Sequence, residues 1–224
     1  QAMQEGVVTV NGTTYPLPKP FFVLATQNPL EQEGTYPLPE AQRDRFLMHI
    51  DVDYPDESAE LKITSGARAR KVRKSFEELN PGKTAPAGMN FAASDTTAEF
   101  NKTAKKLDQI MTAEHLLRAQ ELLDLMPPNA DVVKDIVRIV RAGRPQYEGA
   151  SKIVKDNVEW APGPRADEAL MLCSEARALL RGDLAPSRTD LHNVLDPVMK
   201  LRMSLKWNAG GEWNNVLNAM KGPK

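Results

Sequence analysis

Between Pro20 and Phe46 the chain reads PFFVLATQNPLEQEGTYPLPEAQRDRF, and this stretch restricts the possible folds more than any other. Phe21 to Ala25 is an unbroken apolar run rather than an alternating one, which predicts a strand covered on both faces in a mostly parallel sheet. Thr26, Gln27 and Asn28 then switch to hydrogen-bonding side chains, and Pro29 cannot continue a ladder. Ligands of open α/β sheets bind just beyond the carboxyl ends of strands. Asn28 is therefore a candidate site residue.

Around this stretch the expected fold class is α/β with a parallel sheet, followed by an all-α bundle. Residues 1–62 form the α/β part. Val7 to Val10 and Thr13 to Tyr15 flank Asn11-Gly12, a strong short-range hairpin signal. A short DRF helix and a closing strand near Leu47 to Val52, ended by Pro55, complete it. Residues 63–108 read as a flexible basic linker, with Arg68, Arg70, Lys71, Arg73 and Lys74 followed by Asn80-Pro81-Gly82 and Ala85-Pro86-Ala87-Gly88.

Residues 109–206 read as amphipathic helices with short connections, hence a bundle. Thr112 is placed to cap a first helix carrying Leu116, Leu117, Leu122, Leu123 and Leu125, which stops at Pro127-Pro128. Asp131 is placed to cap a second, with Val132, Val133, Ile136, Val137 and Val140 on one face and Gly143 at its end. A third is expected from Arg165 to Arg181, stopping at Gly182. Ser187 and Asp190 form a weak capping box for a fourth, broken at Pro197 and resumed toward Leu205. Residues 207–224 form a tail in which Trp213, Val216, Leu217 and Met220 make a helical turn or two.

Composition narrows the function classes. The 224 residues are 41% hydrophobic, enough for a substantial core in one or two domains. No apolar run approaches the ~18 residues that span a membrane, and no signal peptide pattern is present. A soluble, cytoplasmic protein is expected. The single cysteine, Cys173, excludes an internal disulfide and reads as a small core residue beside Ala169, Ala176 and Leu180. His49, His115 and His192 lack ligand spacing, so no metal site of the chain's own is expected. With a net charge of −1 and no aromatics interleaved with the basic run, nucleic acid is an unfavoured partner.

Two motifs, ATQNP at Ala25 to Pro29 and EQEGTYPLPEAQRDRF at Glu31 to Phe46, resemble the MoxR group of AAA+ ATPases. The opening QAMQEGVVTVNGTTYPLPKPF and the later WAPGPRADEALML are similar to that group as well, so the resemblance covers the chain except roughly residues 66 to 108. It implies ATP as nucleotide, with Mg²⁺, bound between subunits of a ring, typically a hexamer, and hydrolysed to remodel or activate a client protein. It implies that Asn28 is the first sensor, which holds the attacking water or a γ-phosphate oxygen, and that Arg45 is the finger crossing a subunit boundary. Arg165, in GPRA, would be the second sensor, reading the nucleotide from a helical lid. For Arg45 the plainer reading is an ion pair with Asp44 or Glu40; for Arg165, a solvent-facing arginine.

A phosphate loop and an acidic, Mg²⁺-holding strand end would precede Gln1 in the resembled family. The chain is thus expected to be a carboxyl-terminal portion with negligible ATPase activity by itself. Pro81-Gly82-Lys83-Thr84 imitates the end of such a loop, but Glu77 stands where its first glycine should be and Pro81 lacks an N–H donor. Phe46 to Asp51, FLMHID, imitates an acidic strand end but follows the DRF segment. The alternative function is a non-catalytic protein-interaction module that retains the lid.

Overall fold

The computed structural model describes residues 5–27, 38–79 and 110–222, with backbone alone at 67–77 and 210. It divides into two units, one made of Gln1–Ile50 with Thr112–Lys224 and the other of Asp51–Met111.

In the first unit the expected hairpin is present. Strand β1 (Val7–Val10) pairs antiparallel with β2 (Thr13–Pro16), in the register Val10↔Thr13. Asn11 at φ 50° and Gly12 at φ 79° supply the two left-handed residues that a type I′ turn requires. The expected strand at Phe21 to Ala25 is not formed. The segment pairs with no strand among the described residues, and Phe22 and Leu24 are exposed. An apolar run becomes a strand only when neighbours satisfy its backbone groups.

A one-turn helix, α1 (Glu40–Arg43), follows as expected. The closing strand near Leu47 to Val52 is a second correction, because its backbone is committed elsewhere. The carbonyls of Phe46 and Leu47 accept from Arg202, and the His49 N–H donates to the Pro197 carbonyl at 2.8 Å.

The core belongs to the helices. Helix α3 (Ala113–Asp124) starts at Thr112, whose hydroxyl accepts the His115 N–H at 3.1 Å. Helix α4 (Ala130–Ala142) is capped by Asn129 rather than Asp131, which sits in its first turn. Its buried stripe is Val132, Ile136, Ile139 and Val140, while Val133 and Val137 face outward. Helix α5 (Lys152–Asn157) leads into the short strand β3 (Val158–Trp160).

Helix α6 (Pro164–Leu180) buries Ala169, Leu170, Cys173 and Ala178; Leu180, expected inside, is 88% exposed. It ends in a Schellman arrangement, with Gly182 at φ 83° and the Asp183 N–H reaching the Ala178 carbonyl. Helix α7 (Arg188–Met199) carries the full Ser187–Asp190 capping box and runs through Pro197 without a break. Leu191, Val194, Leu195, Val198 and Met199 are buried on both sides of that proline, and their burial outweighs the ~3 kcal/mol an interior proline costs.

Beyond Met199 the chain does not resume the helix. Strand β4 (Ser204–Leu205) pairs with β3, and a 3₁₀ segment (Trp207–Glu212) leads into helix α8 (Trp213–Lys221). The stretch read as a tail is therefore part of the core, with Val216, Leu217 and Met220 buried. Gly143 makes room for this packing, since a Cβ there would stand 2.7 Å from the Met220 Cε.

The second unit contains helix α2 (Glu57–Leu79), so the first part of the expected linker is helical. The Asp56 carboxylate accepts from the Ala59 N–H at 2.8 Å at its start. Asn80 to Gln109 lie outside the described residues. No described helix is long and apolar enough to cross a membrane.

Candidate functional site

The DRF segment and the helices meet at a cavity of about 350 Å³. Asp44, Arg45 and Leu47 form one wall; Arg165, Glu168 and Leu172 from α6, together with Arg202, form the other.

Asp44 follows the last residue of α1 and is only 17% exposed at its side chain. Its carboxylate stands between two cations. Arg165 donates to Oδ2 at 3.1 Å, and the Arg202 Nε lies 3.7 Å from Oδ1. Arg165 occupies the first turn of α6 behind Pro164. A cation there opposes the helix dipole, and the Asp44 carboxylate offsets that cost. With 45% of its side chain exposed, Arg165 keeps donors open to the cavity.

Arg202 is buried, 3% exposed. Its Nη1 donates to the Leu47 carbonyl at 3.0 Å and the Val198 carbonyl at 3.1 Å, and its Nη2 to the Phe46 carbonyl at 2.7 Å. Burial draws the guanidinium's pKa below its ordinary value, Asp44 opposes this, and the group stays cationic at neutral pH. Next to it, burial pushes the Cys173 thiol up to about 11, with Arg202 pulling the other way. Arg43 adds a further tie, its guanidinium lying 5.4 Å from the centre of the Trp160 ring.

Of the three site residues expected from the sequence, the structure brings Arg45 and Arg165 to one cavity; Asn28 lies outside the described residues. Arg45 is exposed in the turn after α1. The solvent-facing reading of Arg165 gives way to a specific ion pair. The sequence motifs point to Asp44 only as a counter-ion for Arg45, and no motif points to Arg202. A signal for Arg202 was present in VMKLRMSL, where an arginine sits in an apolar run. The expectation of a continuing helix there concealed it.

Cationic guanidinium groups around a cavity suit one side of a phosphate-bearing ligand. Among the described residues no group of three or more His, Cys, Asp or Glu is placed to hold a metal ion. The cavity lining thus combines three guanidinium groups, Arg45, Arg165 and Arg202, with the carboxylates of Asp44 and Glu168.

Comparison with known proteins shows what the chain is similar to. Residues 1–48 match the model of the ATPase family associated with various cellular activities (AAA). Over 93% of this chain and 47% of the relative, the sequence is 33% identical to chaperone MoxR1 of Mycobacterium tuberculosis. It is 26% identical to protein MoxR of Paracoccus denitrificans, over 82% of this chain and 48% of that protein. A crystal structure described as that of a candidate ATPase from Cytophaga hutchinsonii superposes with a TM-score of 0.72 at 28% identity, covering 98% of this chain and 58% of that one.

These matches support a place for the chain in the MoxR family of AAA+ ATPases. It spans about half the length of these two curated MoxR relatives.

Proposed function

We propose that the chain provides the sensing and charge-stabilising side of ATP hydrolysis in a chaperone-like AAA+ ATPase that remodels or activates client proteins. The observation that carries this reading is the exposure of two arginines from MoxR-like motifs, Arg45 in the turn after α1 and Arg165 in the first turn of α6, where Asp44 holds it with 45% of its side chain still exposed. Bound ATP, with its Mg²⁺, would supply the γ-phosphoryl group. In its transfer, negative charge spreads over the equatorial oxygens. Arg45, exposed at the end of its turn, is suited to reach a neighbouring subunit's nucleotide in a ring, by our reading a hexamer, and neutralise that charge. Arg165 reads the phosphate within its own subunit and exchanges Asp44 for it. Asn28 orients the attacking water.

The test is ATP hydrolysis by the protein that carries this chain, compared with Arg45→Ala, Arg165→Ala and Asn28→Ala. Arg45→Ala should cost about 10³-fold or more in kcat, the scale of an arginine finger. Its activity should return when it is mixed with subunits whose finger is intact. Unchanged hydrolysis in all three variants would favour the non-catalytic interaction module.

A further inference from the structure

We propose that Arg202 is the positioning residue for Arg45: it clamps the turn from Asp44 to Leu47 onto the end of α7, so that the finger projects in one fixed direction. The inference rests on the reading of Arg45 as a finger and adds the device that aims it.

The geometry is that of a clamp. One guanidinium nitrogen holds the Val198 carbonyl in α7 and the Leu47 carbonyl, while the other holds the Phe46 carbonyl. The Nε side faces the Asp44 carboxylate. Arg45 therefore sits between two neighbours that the same buried side chain holds. Outside them, Arg43 stacks on Trp160 and the His49 N–H binds the Pro197 carbonyl. Both ends of the turn are anchored to the helical body, although the Arg45 side chain itself is exposed.

Packing alone does not account for an arginine here. Burying a guanidinium carries a desolvation cost that an apolar side chain of similar volume avoids. Its forked donors do what an apolar side chain cannot, reaching carbonyls on both sides of the cleft at once. Charge stabilisation in a transition state depends steeply on placement, and an error of about 1 Å can cost about 10²-fold in rate. Arg45 lies in the turn after the one-turn α1, and Arg202 ties the backbone of that turn to the helical body. The clamp also ties Arg45 to Arg165, since Asp44 contacts Arg202 and Arg165 together. Loss of Arg165 to a phosphate would leave Arg202 as the remaining cation on that carboxylate.

The experiment compares Arg202→Met and Arg202→Lys in the protein that carries this chain. Two readouts are used, amide hydrogen exchange at residues 45–50 and steady-state ATP hydrolysis. Arg202→Met should keep the fold, speed exchange at the His49 amide and its neighbours, and lower kcat about 10²-fold with KM for ATP unchanged. Adding Arg45→Ala to Arg202→Met should give the rate of Arg45→Ala alone, because both act through one group. Arg202→Lys, keeping the charge but not the fork, should fall between wild type and Met, and it carries the test if the Met variant does not fold. Unchanged exchange, multiplicative losses in the double variant, or a fully active Lys variant would overturn the proposal. An unaltered protein that hydrolyses no ATP would instead overturn the finger reading, and the exchange data would still decide whether Arg202 holds the turn.

Discussion

The Trp213 indole N–H donates to the Asp196 Oδ1 at 2.6 Å, which ties helix α8 to the last turn of α7. The bond marks where helix α8 enters the core. Asp196 also pairs with Lys200 at 3.0 Å and is 44% exposed, so water can replace the indole. Trp213→Phe should therefore cost only about 1 kcal/mol. Deleting residues 207–224 removes the buried Val216, Leu217 and Met220, each worth about 1.5–3 kcal/mol, and should leave the helical body unfolded. Urea denaturation followed by circular dichroism separates the two outcomes.

Asp44→Asn should be more damaging than its small change in shape suggests. The substitution leaves Arg202, 3% exposed, without its counter-charge, at a cost of roughly 3 kcal/mol. Arg202→Met should cost less, because Asp44 keeps Arg165. Chemical denaturation of the two variants checks the order, and equal or reversed losses would refute it.

A pH dependence follows from Asp190. Burial by itself would raise its pKa, but the Ser187 hydroxyl and N–H and the Arg181 guanidinium outweigh that and lower it. A carboxylate with a depressed folded-state pKa contributes stability above its unfolded value, about 3.9, and loses it as pH falls through the folded value. Asp190→Asn should thus destabilise the protein by about 2 kcal/mol at pH 7, where both the cap and the ion pairs are lost. The gap to wild type should narrow below about pH 4. A gap independent of pH would show that the charge contributes nothing.

Cys173 should be chemically silent in the folded protein. It is 4% exposed and its thiol is pushed up to about 11, chiefly by burial, so little thiolate exists at neutral pH. A thiol reagent should label it only at the rate of unfolding. Fast labelling under native conditions would mean that α6 opens locally.

What could be read in advance follows the range of the interactions. Asn11-Gly12, Thr112, Gly143, Gly182 and the Ser187–Asp190 box act over a few residues, and each was placed correctly from the sequence. The outward turn of Val133, Val137 and Leu180, the choice of Asn129 as cap and the burial of α8 depend on which elements pack together. Hydrophobic periodicity leaves that choice open. Pro197 stayed inside its helix because burial on both sides exceeded its local cost. At the site, Arg45 and Arg165 could be located because motifs carry them. Arg202 could not, because its partners lie some 155 residues away.

That separation has a consequence for synthesis. The Phe46 and Leu47 carbonyls leave the ribosome long before the side chain that will hold them. At about 5–20 residues per second, the wait is roughly 8 to 30 seconds. The helices around α6 and α7 collapse through short-range contacts, whereas the turn carrying Arg45 closes a chain loop of this length and docks late. On the proposed reading, a nascent chain builds its helices first and fixes the turn carrying Arg45 last, and a chain interrupted before Arg202 lacks the side chain that ties that turn to α7.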